Sequence, residues 1–240
     1  VHAGLSVRPQ RFLRFVGRVA LGGAILAACV SALAWDGHRM LDAAHALGPR
    51  AVEGAVALQH VLAAARDLEE PARLEAVNEF YNLHHAAGRD RRPALTRVSA
   101  VSEPRGRVAE WSSPLELLAA AHGSAEEYAI AKYLTLVAVG VPPARLRLVY
   151  VRVAAQTPAG EALPHLVVAY YARTGAEPLI IDTLRPTALT ASQRRDLEPV
   201  FTFNSEGLDT HSAMDPGGNP SARLTRWRGV VAKARAQGLF

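Results

Sequence analysis

Cysteine is almost missing: the 240 residues hold one, Cys29, inside an apolar N-terminal stretch. A lone thiol forms no internal disulfide and no multi-cysteine metal centre, and a chain cut after Ala34 has no thiol nucleophile either. Acidic side chains are missing from residues 1–34, which carry Arg8, Arg11, Arg14 and Arg18. Residues 207–240 are also basic, with Arg223, Arg226, Arg228, Lys233 and Arg235 against Asp209 and Asp215. Between these ends, residues 35–206 carry 18 basic and 20 acidic side chains, so the formal net charge of +5 belongs to the termini. A near-neutral body with basic ends makes no phosphate-binding surface, which argues against nucleic acid as a partner. There are no internal repeats, and a composition of 50% hydrophobic and 20% charged residues excludes disorder and coiled coil.

What is present begins with an export signal. The arginines, an apolar run from about Val19 to Ala34 and the small-residue pattern Ala32-Leu33-Ala34 have the three parts of a secretory signal peptide. Left uncut, the same run would be a membrane anchor. Leu26-Ala27-Ala28-Cys29 also fits a lipobox, so acylation at Cys29 is the alternative to cleavage after Ala34. Either route gives a bacterial envelope protein, with periplasmic location as the expectation.

From His38 to about Ala87, apolar residues recur at helical spacing, broken at Gly48-Pro49 and Pro71, which predicts two or three amphipathic helices. Residues 88–107 are charged, contain proline and lack periodicity, as a long surface loop would. Ser113-Pro114 signals a helix start, with serine as cap and proline in the first turn. The helix from about Ala125 to Val139 has apolar residues on most sides and should be buried nearly all round. Beyond Pro142-Pro143 the pattern becomes β, in RLRLVYVRV, HLVVAYYAR, PLIIDTL and PVFTFN, with a tight connection near Thr174-Gly175. Helices followed by an antiparallel sheet make an α+β fold over residues 35–206. Residues 207–240 read as a linker and a basic C-terminal helix, packed on the body by Trp227 or facing an anionic membrane surface.

The chemistry centres on HGSAEEYAIAKYLTL, residues 122–136. Papain-like and transglutaminase-like enzymes place a cysteine at the N-terminus of a buried helix, where unpaired N–H groups favour thiolate. A strand histidine serves as base and a carboxylate on the next strand orients it. His165 and Asp182 fall at suitable points of a hairpin turning near Gly175, within about two residues of direct opposition. His38, His45, His84 and His85 show no chelating spacing and read as surface residues.

Five ordered motifs, WSSPLELLAAAHGSAEEYAIAKYLTL, LRLVYVR, PHLVVAYY, PLIIDTL and DLEPVFTFNSEGL, resemble the bacterial transglutaminase-like cysteine proteinases of the LapG type, as does AVNEFYN at residues 76–82. The resemblance starts at Trp35-Asp36 and implies a papain-like, transglutaminase-like fold. It also implies a periplasmic, calcium-dependent protease that processes a surface adhesin in biofilm control, restrained by an inner-membrane receptor for cyclic di-GMP. The family motif Gly-Asp-Cys-Glu-Asp-Tyr here reads Gly123-Ser124-Ala125-Glu126-Glu127-Tyr128. Ala125 therefore stands in the nucleophile's place, and Ser124 replaces a calcium-binding aspartate, while His165 and Asp182 match base and acid. Glu126 and Glu127 retain carboxylates for a calcium site that is weakened or lost, or else are first-turn acids complementing the helix dipole. Ser124 is rotated by about 100 degrees from position 125 and is a poor substitute nucleophile.

Three functions follow as expectations. The first is an inactive relative that binds an adhesin segment or the receptor's periplasmic domain. The second is an altered hydrolase or acyl transferase using His165 and Asp182. The third is an envelope structural protein or lipoprotein.

Overall fold

The computed structural model describes residues 35–90, 110–120, 122–154, 162–204, 207–208 and 220–240. Helices α1 (Gly37–Leu47), α2 (Pro49–Arg66) and α3 (Glu70–Asp90) come first, then α4 (Pro114–Ala119) and α5 (Ala125–Ala138). Strands β1 (Leu146–Val153), β2 (Leu163–Tyr170), β3 (Leu179–Ile181), β4 (Leu189–Thr190), β5 (Leu197–Asn204) and β6 (Gly207–Leu208) follow, and α6 (Pro220–Ala236) closes the chain. The architecture is α+β, with helices preceding an antiparallel sheet of order β4-β3-β2-β1-β5-β6.

The helix boundaries have local causes. Gly48, at φ 103°, ends α1 and precedes Pro49, which opens α2. Proline at a helix start loses no hydrogen bond, so Pro71 likewise lies inside the first turn of α3 rather than breaking it. Ser113 caps α4 with a reciprocal box to Glu116, as its Ser-Pro signal predicts.

Every residue of α5 from Tyr128 to Leu136 is buried, including Lys132 and Thr135 at 0% exposure. The helix packs on β2 and β1 on one side and on α3 and α4 on the other. It is the axis of the main core, in which Tyr81, Trp111, Tyr133, Leu148, Leu166 and Val168 all meet. A smaller cluster built on Val149, Val151, Val167 and Ala169 includes Ala191 and Leu197 from the β4–β5 region.

Trp227 of α6 is 4% exposed and sets its ring edge-on to Tyr133 and Phe203. Lys233 pairs with Glu116, and Arg226 stacks over Trp111, so α6 turns both residues toward the body. Asp36 N donates to the Gly238 carbonyl at 2.7 Å, bringing the two ends of the described chain together. Gly207–Leu208, read from sequence as linker, instead forms β6 against β5. No helix among the described residues is long and apolar enough to cross a membrane. The signal segment, the lipobox, and most of the 88–107 loop and of the linker lie outside the described residues.

Candidate functional site

Antiparallel pairing of β2 with β3 sets Val168 opposite Ile181. Continuing that register one step puts Asp182 across from Val167, two residues along β2 from His165. His165 and Asp182 are accordingly close, with Nε2 3.6 Å from Oδ2, and both are buried. That separation is too long for a hydrogen bond, and Nε2 finds no hydrogen-bond partner among the described residues. The two side chains are close neighbours with no hydrogen bond between them.

Asp182 is instead held by others. Its Oδ1 accepts from the backbone N–H groups of Leu184 and Arg185, each at 3.1 Å. Its Oδ2 accepts from Arg194 at 2.7 Å. Arg194 is itself buried, and its Nε and Nη2 form a fork on Asp196 at 3.0 and 2.9 Å. Burial alone would raise the Asp182 pKa, but the neighbouring His165 and Arg194 outweigh it and hold the carboxyl at about 2. Arg194 was not found from sequence because an arginine beside Arg195 and Asp196 reads as a solvated turn.

Ala125 is the first residue of α5 and is half-buried. Ala125, Ala129 and Lys132 share one stripe of the helix, at i, i+4 and i+7. Lys132 Nζ donates to the Asp182 carbonyl at 2.7 Å, so this stripe is turned toward the end of β3. Burial draws the Lys132 ammonium down to about 7, opposed by the Asp182 charge.

Ser124 is the N-cap. Its hydroxyl accepts from Glu127 N at 3.2 Å, and Glu127 Oε2 accepts from Ser124 N at 2.8 Å. Glu127 Oε1 takes Ser112 N at 3.1 Å and Ser112 Oγ at 2.5 Å. Burial raises the Glu127 pKa, but these donors prevail and keep it below the ordinary value. Glu126 accepts from Trp111 Nε1 at 3.0 Å and from Tyr150 OH at 2.8 Å. Among the described residues, no hydrogen bond or ion pair joins Ser124, Glu126 or Glu127 to His165 or Asp182.

Calcium takes six to eight oxygens. Here both glutamates are turned onto protein donors, Ser124 is engaged as a cap, and no group of three or more acidic, histidine or cysteine side chains able to hold a metal occurs among the described residues. As arranged, the Glu126 and Glu127 carboxylates are engaged by protein donors.

His38 and His45 are exposed as expected. His84 is not a plain surface residue: its Nδ1 is 2.8 Å from Tyr128 OH, and the His85 ring stands edge-on to Tyr128 at 4.9 Å. Tyr128 sits one turn after Ala125, and its hydroxyl is pushed up to about 12, first by burial and then by the Glu127 charge.

No protein-family model and no curated protein sequence matches the chain. Solved structures do. LapG of Legionella pneumophila superposes with a TM-score of 0.62 at 27% identity, covering 83% of this chain and 98% of that one. Its EGTA-treated form gives 0.63 at 28% identity with the same coverage. Its calcium-bound form gives 0.61 at 26% identity, covering 82% and 98%. The chain therefore has the transglutaminase-like fold of LapG, and this likeness over nearly the whole of that protein supports placing it with the LapG-type proteases.

Proposed function

We propose that the protein is a non-catalytic member of the LapG-type protease group that works in the periplasm by binding protein partners. The observation that carries the reading is Ala125: the first residue of the buried helix is an alanine, where the family motif has its nucleophile. A methyl group cannot attack a carbonyl. The neighbouring hydroxyl of Ser124 is committed as a helix cap and supports no substitution. By resemblance, the partners are the cleavage segment of a surface adhesin or the periplasmic domain of a cyclic di-GMP receptor, which this protein would shield or compete for.

Three measurements test the reading. The mature chain, immobilised and offered each partner domain, should retain at least one; retention of neither ends the binding role. Incubated with peptides, the native chain should show no turnover that His165→Ala abolishes, and any such turnover would restore the hydrolase reading. The Ala125→Cys variant should carry a thiol alkylated by iodoacetamide at pH 6 at least about tenfold faster than free cysteine, because a helix N-terminus and a nearby imidazole lower a thiol pKa. His165→Ala in that background should remove most of the gain.

We further propose that calcium binding is weakened to the millimolar range. LapG is known in calcium-bound and EGTA-treated forms, which makes the ion plausible here, but the glutamates are turned onto protein donors. Thermal melts with 1 mM calcium and with EGTA should agree within about 1 °C, since a ligand near its Kd adds only about 0.4 kcal/mol. A clear EGTA-induced fall in Tm would show that an intact site exists.

A further inference from the structure

Asn78 and Asn82 lie one turn apart on α3, within AVNEFYN, a motif to which the site described above gives no role. Their amide nitrogens face the segment after β3. Asn78 Nδ2 donates to the Pro186 carbonyl at 2.9 Å, and Asn82 Nδ2 donates to the Arg185 carbonyl at 3.0 Å. Their oxygens face the other way and accept from Lys132 Nζ at 2.8 and 2.7 Å. The third proton of Lys132 goes to the Asp182 carbonyl. An ammonium has three donors and no acceptor, so this wholly buried lysine is matched donor for acceptor.

These bonds close a circuit. From Lys132 it runs to Asp182, along the chain to Arg185 and Pro186, and back through the two asparagines. It joins two helices to both ends of a five-residue segment that has no regular structure of its own between β3 and β4. If the circuit served only to join α3 to α5, packed apolar side chains would do as well, because taking a charge out of water is costly and apolar replacements of such networks are often neutral or stabilising. What apolar packing cannot do is fix the position of individual carbonyl groups. Here the fixed carbonyls are those of Asp182 itself and of the residues whose N–H groups or neighbours hold its Oδ1.

We propose that Asn78, Asn82 and Lys132 are positioning residues, forming a buried polar clamp that fixes the backbone of residues 182–186 and so sets the Asp182 carboxylate between Arg194 and His165. Arg194 grips the side chain and the clamp grips the backbone. This role is separate from the partner binding proposed above and does not depend on the chemistry at position 125.

Amide hydrogen exchange on the full mature chain tests it. Asn82→Ala is the first variant, because Asn82 is only part-buried and its loss leaves Lys132 two acceptors; Lys132→Met is the stronger one. The amides of Leu184 and Arg185, which donate to Asp182 Oδ1, should exchange at least about tenfold faster in Asn82→Ala, with α1 and α2 unchanged. Unchanged exchange at both amides, or acceleration spread evenly over the chain, would overturn the clamp. In the Ala125→Cys background, Asn82→Ala should also shift the pH midpoint of iodoacetamide alkylation by about half a unit or more. A reactive thiol in the Ala125→Cys variant whose pH profile ignores Asn82→Ala would reduce the network to a structural tie and defeat the positioning role. Should Ala125→Cys carry no reactive thiol, the exchange measurement, which needs no nucleophile, decides the clamp by itself.

Discussion

Two backbone N–H groups and one guanidinium hold the Asp182 carboxylate, with the His165 ring just outside hydrogen-bond range. A carboxyl held at about 2 in the fold, against an ordinary 3.8, stabilises the folded state above the higher value. That contribution is lost as pH falls through the folded pKa and amounts to about 2 kcal/mol. Denaturant titrations should therefore show stability falling between about pH 4 and pH 2, and Asp182→Asn should flatten that fall. The same substitution should cost about 3 kcal/mol at pH 7, because it leaves the buried Arg194 without one of its two anionic partners. Sequence pointed to His165 and Asp182 because their chemistry and strand positions are local signals. It did not point to Lys132 or Arg194, since charged residues amid apolar or turn-like neighbours read as exposed. The partners of Lys132 stand 50 and 54 residues away, and Asp182, one of the two carboxylates on Arg194, stands 12 away.

Between helices, contact distance is set by small residues. A Cβ added at Gly54 of α2 would stand 2.6 Å from Leu118 Cβ on α4, so these helices touch backbone to side chain. Gly54→Ala should destabilise by about 2 kcal/mol despite alanine's better helix propensity. Combining it with Leu118→Gly, the change that removes the clashing Leu118 Cβ, should cost less than the sum of the two changes in urea melts. The elements most legible in the sequence were those with a strong period and a marked end: α5, with apolar residues all round, and α4, with its Ser113-Pro114 start. β4 and β6 span two residues each, too few to show alternation, and are defined only by the strand beside them.

Across the whole molecule, α6 contributes more to the fold than its basic composition suggests. Trp227 closes the main core against Tyr133 of α5 and Phe203 of β5. Trp227→Ala should cost about 3–5 kcal/mol, visible as a large fall in Tm. A helix acting chiefly as a membrane-surface patch would tolerate the change in solution. The bond from Asp36 N to the Gly238 carbonyl has a consequence for chain connectivity. In a chain expressed as residues 35–240 these positions can be joined by a few glycines, and the exposed hairpin at Thr174–Gly175, where Gly175 has φ 76°, is a suitable place to open that chain. A circular permutant beginning at Gly175 should fold with a melting temperature within several degrees of the parent. The order in which the chain is read could then change while the buried helix, the sheet and the Asp182 region keep their places.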